Sequence, residues 1–207
     1  MKKITLLILG LLLVSSVFVV GDDNMDKMSI NIHEGWNLVL LYSNPIDGIL
    51  SESEIKIEDF PAMFFYWNNR HKMYEMHPNN EMEKDGYAIE EDMHYMLNSA
   101  HWIYSTKSGT LKVERVPWSL SETKLSKGWN LLGTTEEMVN NKVTDFAGNC
   151  DIEKLYGWNS KKQEWESFSV NQELSPSALG TGMAIKVRNT CQLETNTGIT
   201  PVPSLPN

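Results

Sequence analysis

Four of the five histidines in this 207-residue chain, His71, His77, His94 and His101, share one segment with the methionines Met73, Met76, Met82, Met93 and Met96. Thioether sulfur and imidazole nitrogen together suit copper, Cu(I) above all, in a protein outside the cytoplasm. The spacings Met73-x-x-Met76-His77 and Met93-His94-x-Met96 make Met73, Met76, His77, Met93, His94 and Met96 the candidate metal ligands. The competing account is packing, because methionine fills irregular cores and also stands outside the segment, at Met25, Met28, Met63, Met138 and Met183. On that account the chain carries no cofactor.

Carboxylates are the second candidate chemistry. Two acids across a sugar-binding cleft can serve as acid and base for glycoside hydrolysis. The densest runs are Glu81-Met-Glu83-Lys-Asp85 and Glu90-Glu91-Asp92, with Glu136-Glu137 as a third. Such runs are the ordinary composition of solvated faces, and the first two lack the ligand spacing of a calcium loop. Gly180-Thr181-Gly182 is not a dinucleotide fingerprint, since Ile185 stands where a third small residue belongs. There is no His-Glu-x-x-His, no Gly-x-Ser-x-Gly and no cysteine beside a partner base. The expectation is a protein that is not an enzyme, with an extracytoplasmic copper-type metal-binding protein and a glycan hydrolase as the alternatives.

The elements that would position these residues are written twice. Gly35-Trp36-Asn37-Leu38 returns as Gly128-Trp129-Asn130-Leu131, and Trp67-Asn68 returns as Trp158-Asn159. A self-repeat allows two rows to be compared, and residues kept in both rows are those the fold unit needs. The blocks FYWNNRHKMY and YGWNSKKQEW align without a gap, and a weaker third block pairs Trp102 with Ala184, Gly109 with Cys191 and Leu111 with Leu193. The units run from 28 to 117 and from 118 to 196, followed by a Pro-containing tail at 197–207. The rows differ most from Arg70 to His101, where the first carries extra residues.

Within each unit the pattern predicts mainly β structure with one short helix, two tandem copies of a small antiparallel β domain. Strands are expected at Ile30–Ile32, Leu38–Tyr42, Met63–Trp67, Lys72–Met76, Trp102–Ser105 and Thr110–Glu114. Their counterparts are Leu155–Trp158, Glu164–Val170, Met183–Val187 and Gln192–Thr195. Helical character is expected over Ser51–Phe60 and from Thr134 up to a stop at Gly148, where Thr134-Thr135-Glu136-Glu137 offers a cap and an acidic first turn. Asn68-Asn69 and Asn159-Ser160 suit tight turns. Gly35 and Gly128 are expected where the backbone disfavours side chains.

Residues 1–21 read as a signal peptide or N-terminal anchor: Lys2 and Lys3, an uncharged stretch from Ile4 to Val20, then Gly21 before Asp22-Asp23. Export then places Cys150 and Cys191 where a disulfide between them can persist, the alternative being two buried thiols in different parts of one core. The net charge of −9 becomes −11 once the two lysines leave, so nucleic acid and anionic lipid are excluded as partners. Membrane contact is expected only through the N-terminal segment if it stays uncleaved.

The order GWNL, helical stretch, hydrophobic-x-W-N hairpin and apolar strand, preceded in the second copy by Gly180-Thr181-Gly182, resembles a repeat of secreted and cell-surface proteins of archaea and bacteria, S-layer-associated ones included. In that family the last block is usually a Gly-x-Gly-Tyr-Trp strand. Here the second copy has Met183-Ala184 in place of the aromatics, and the first has Trp102 but Ser99-Ala100 in place of a glycine. The resemblance implies an exported surface module, working in cell-envelope architecture or in protein or glycan binding, with no catalytic residues to carry over.

Seven tryptophans remain to be explained. Trp36, Trp129, Trp67 and Trp158 recur and are expected to pack in the core and between units. Trp102, Tyr104 and Trp118 have no aromatic counterpart and are the candidate binding residues.

Overall fold

The computed structural model describes residues 27–41, 51–60, 64–68, 72–77, 99–114 and 119–194. It is mainly β, and its paired strands are antiparallel. The first half contains β1 (Lys27–Ile32), β2 (Gly35–Leu40), β3 (Phe64–Asn68), β4 (Met73–His77), β5 (Ala100–Ser105) and β6 (Gly109–Glu114). The second contains β7 (Lys124–Leu125), β8 (Gly128–Gly133), β9 (Ile152–Asn159), β10 (Glu164–Ser167), β11 (Gly182–Val187) and β12 (Cys191–Gln192). One four-stranded sheet has the order β2-β5-β3-β4 and the other β8-β11-β9-β10, while β1 pairs with β6 and β7 with β12. The same strand order thus occurs twice, offset by six strands.

The GWNL block explains how each copy starts. Gly35 and Gly128 sit at φ +101° and +95°, a region costly for any residue with a Cβ. The asparagine that follows is buried and closes the turn from the preceding strand. Asn37 Oδ1 accepts from the His33 amide at 2.9 Å, and its Nδ2 donates to the carbonyls of His33 and Gly35. Asn130 makes the same three bonds to Ser126 and Gly128. Leucine then turns inward, so the four letters encode a turn, a brace and a core contact.

Alternation along β1 buries Met28, Ile30 and Ile32 against Leu111 and Val113 of its partner β6. Ile103 and Ile55 complete that core. The second core gathers Met138, Val143, Phe146, Ile185 and Leu193. Cys150 and Cys191 are bonded, with Cα atoms 5.1 Å apart, and tie the segment after the helix to β12.

Helices are shorter than the sequence pattern implies. Thr134 is a buried extension of the sheet whose amide donates to the Thr181 carbonyl at 2.8 Å, so it does not cap a helix. Residues 136–141 form turns, and Asn140 at φ +61° blocks helical propagation. The helix proper, α1, is Val143–Phe146. In the first half the expected Ser51–Phe60 helix is reduced to a 3-10 turn, Ile57–Asp59. Both start alike: Asp59 Oδ2 accepts from the Lys56 amide at 2.7 Å, and Asp145 Oδ2 from the Lys142 amide at 2.9 Å. Lys56-Ile-Glu-Asp-Phe60 and Lys142-Val-Thr-Asp-Phe146 are therefore a further repeated block, legible in the sequence but missed there.

The halves meet over Leu38 and Ala100 from the first and Leu131 and Ala184 from the second. Backbone bridges join Val39 to Thr181 and Ser99 to Leu132, and the Leu40 amide donates to the Gly180 carbonyl at 2.8 Å. This approach needs glycine: a Cβ on Gly182 would lie 2.3 Å from Leu38 Cγ, and one on Gly133 would lie 2.5 Å from Leu40. Residues 1–21, 197–207 and the acidic runs of 81–92 lie outside the described residues. Among the described residues no helix is long and apolar enough to cross a membrane.

Candidate functional site

Aromatic side chains recur at every second position of three strands: Phe65 and Trp67 on β3, Trp102 and Tyr104 on β5, Tyr156 and Trp158 on β9. Because side chains alternate across a strand, each pair emerges on one face. Register adds the neighbouring rings, Trp67 opposite Tyr74, Trp158 opposite Trp165 and Trp36 opposite Tyr104. The faces that carry them meet where the halves join.

Two hairpins hold the rings in place. Asn68 Nδ2 donates to Glu75 Oε1 across β3–β4, and Asn159 Nδ2 donates to Glu166 Oε1 across β9–β10, both at 2.9 Å. The β9–β10 loop is wider than the tight turn expected at Asn159-Ser160. Its left-handed residue is Gln163, at φ +59°, and Asn159 accepts the Lys162 amide at 3.0 Å. In the other hairpin Lys72 takes the same conformation, at φ +56°.

Each hairpin grips the opposite half. Trp158 Nε1 donates to the Trp36 carbonyl at 2.8 Å, and Trp67 Nε1 donates to the Trp129 carbonyl at 3.0 Å. Gln163 accepts from the Trp36 amide at 2.8 Å and donates to its carbonyl at 2.9 Å. Lys72 Nζ, the counterpart of Gln163, donates to the Lys127 carbonyl at 3.0 Å. Exchanging the halves maps the paired tryptophan bonds onto each other, the signature of an approximate two-fold relation.

Two recesses open beside these contacts. The first, about 450 Å³, is lined by Trp36, Phe65, Tyr74, Trp102, Trp158 and Trp165. The second, about 370 Å³, is lined by Trp67, Tyr74, Trp129, Leu131, Tyr156, Trp165 and Ala184. No lining residue among those described is charged. Within the first, Trp102 meets Trp158 and Trp165 edge to face, with ring centroids 4.8 and 5.6 Å apart, and Trp36 meets Trp102 at 6.3 Å. Edge-to-face packing fixes the rings relative to one another. Trp36 and Trp129 are each 36 % exposed, Trp165 39 % and Tyr74 48 %.

These exposures refine the expectation that all four repeated tryptophans pack in the core and between the units. Trp67 and Trp158 do pack against the contact between the halves. Trp36 and Trp129 instead present an indole to solvent, because in each GWNL block it is the asparagine and leucine that turn inward.

The remaining candidates are dispersed. Trp102 lies at the centre of the first recess, and Tyr104 stands beside it against Trp36, with centroids 5.3 Å apart. Trp118, Met93, His94 and Met96 lie outside the described residues. Met73, Met76 and His77 are on β4, where Met73 is exposed. His101 is buried on the opposite face of β5 from Trp102, its ring 6.2 Å from that of Tyr66. Among the described residues no group of three His, Cys, Asp or Glu side chains stands close enough to hold a metal.

Electrostatics act around the recesses, not inside them. Lys162 donates to Glu166 and, with Asn159, holds that carboxyl below its usual range, while Glu166 raises the Lys162 ammonium. Glu153 is lowered by Lys186 and Arg188. The Lys186 pair sits beside Trp129 on β8, while the residues that line the two recesses carry no charge.

Searches against protein-family models, curated proteins and solved structures returned no match to this chain. The geometry of the aromatic face therefore carries the functional argument.

Proposed function

We propose that this chain is an exported surface module without catalytic activity that binds a cell-envelope glycan on the aromatic face between its halves. The observation that carries this reading is the pair of uncharged recesses walled by tryptophan and tyrosine from both halves. Sugar rings present flat C–H faces that stack on such walls, and a ring held by edge contacts and hydrogen bonds loses little freedom on binding. Export is supported by the apolar stretch from Ile4 to Val20 and by the Cys150–Cys191 disulfide, a bond that persists outside the cytoplasm.

The test is tryptophan fluorescence of the protein from residue 22 onward during titration with cell-envelope polysaccharides. Saturable change is expected, and Trp165→Ala, which removes a wall common to both recesses, is expected to weaken it. A folded protein that responds to no polysaccharide would contradict the proposal.

A further inference from the structure

The two recesses are copies of each other. Substituting each lining residue of the first by its repeat counterpart gives Trp129 for Trp36, Tyr156 for Phe65, Ala184 for Trp102 and Trp67 for Trp158. The remaining pair, Tyr74 and Trp165, exchange with one another and so belong to both. The result is the lining of the second recess, with Leu131 added. The recesses are therefore adjacent, share a wall and are related by the same approximate two-fold as the reciprocal tryptophan bonds.

A duplicated site with a common wall fits a ligand that repeats. We infer that the two recesses are quasi-equivalent subsites for a single uncharged, linear glycan strand that crosses Tyr74 and Trp165, an inference that rests on the glycan-binding reading above. The absence of charge in either lining, in a chain of net charge −9, selects against acidic polymers and gives a cationic one no partner inside the recess. A two-fold relation presents the strand to the two subsites in opposite directions. Ring stacking tolerates this, because it reads the flat face of a sugar and not the order of its polar groups.

The subsites are unequal at one position. Trp102 supplies an indole to the first where Ala184 supplies a methyl group to the second. The first is accordingly the more aromatic subsite of the two.

The experiment is calorimetric titration of the protein from residue 22 onward with neutral oligomers of glucose, mannose and N-acetylglucosamine, from about two to eight units long. Linking two weak contacts raises affinity through effective concentration, so oligomers long enough to span both recesses should bind about 10²-fold more tightly than the shortest. Long oligomers should bind one per chain and short ones two. Trp36→Ala and Trp129→Ala should each return a long oligomer to roughly the affinity of a short one, and Trp165→Ala should weaken both lengths. Affinity independent of length, or loss confined to one of Trp36 and Trp129, would overturn the paired-subsite inference and leave glycan binding standing. No binding of any oligomer or of the parent polysaccharides would overturn both. Binding instead of a proline-rich peptide, such as residues 197–207, would assign the face to protein recognition and overturn both as well.

Discussion

Replacing Gly182 with alanine would drive a methyl group into the contact between the halves. That Cβ would lie 2.3 Å from Leu38 Cγ and 2.5 Å from Ala100 Cβ. Carbon atoms pack at about 3.5–4.0 Å, so the shortfall is more than about 1 Å against two neighbours at once. Overpacking of this kind costs about 1–3 kcal/mol. The smaller conformational freedom of alanine in the unfolded chain offsets about 0.4–1 kcal/mol, leaving about 1–2 kcal/mol. For a protein of this length that lowers Tm by about 2–8 °C. Gly157→Ala is the control, since its Cβ would meet Phe168 at 3.6 Å, an ordinary contact. Thermal and urea unfolding of Gly182→Ala, Leu38→Ala and the double variant would form a cycle. The double variant should be less destabilised than the sum, because shortening Leu38 makes room for the new methyl group. A Gly182→Ala protein as stable as the parent, or strict additivity with Leu38→Ala, would refute the close approach of the halves.

Other consequences are more local. Asn37→Ala and Asn130→Ala each remove three hydrogen bonds from a buried side chain. Each should cost about 2–3 kcal/mol by urea denaturation, and the two costs should be similar. Reduction of Cys150–Cys191, or its replacement by two serines, frees a loop spanning 41 positions. This should lower stability by up to about 4 kcal/mol in unfolding with and without reductant. Glu52, Asp59, Glu153 and Glu166 all have folded pKa values lowered, first by hydrogen bonds from Lys27, Lys107, Lys186 and Lys162 respectively. Their stabilisation is present above the unfolded values near pH 4 and is lost as pH falls through the lower folded ones. The contribution of these four carboxylates should therefore decline on acidification through about pH 4 and below, and by less at high salt because these groups are exposed.

Much of this architecture could be read from the sequence. The repeated GWNL and Trp-Asn blocks located the strands, because period-two alternation and an asparagine-braced turn are local properties. The short helices were misjudged for a tertiary reason. Thr134 has good capping chemistry, yet its amide is taken by Thr181, and Asn140 in the left-handed region ends any helix begun at Glu136. The site was half legible. Trp102 and Tyr104 stand out as unrepeated aromatics, whereas the recurrence of Trp36 and Trp129 points to packing in the core and between units, and Trp165 is marked only as the counterpart of Tyr74. What distinguishes them is the two-fold meeting of the halves, which a linear repeat does not reveal. The spacing Phe65-x-Trp67, Trp102-x-Tyr104 and Tyr156-x-Trp158 was the available signal, since aromatics at every second strand position share a face.

The indole N–H resonances of the protein offer the most direct measurement of the central claim. All six of Trp36, Trp67, Trp102, Trp129, Trp158 and Trp165 line the recesses, but Trp67 and Trp158 have their N–H groups committed to backbone carbonyls. Titration with a neutral cell-envelope polysaccharide, followed by NMR of the assigned indole signals, should shift those of Trp36, Trp102, Trp129 and Trp165 together and those of Trp67 and Trp158 less. Saturable binding that leaves these four unmoved, or that moves only Trp118, would contradict a glycan site between the halves.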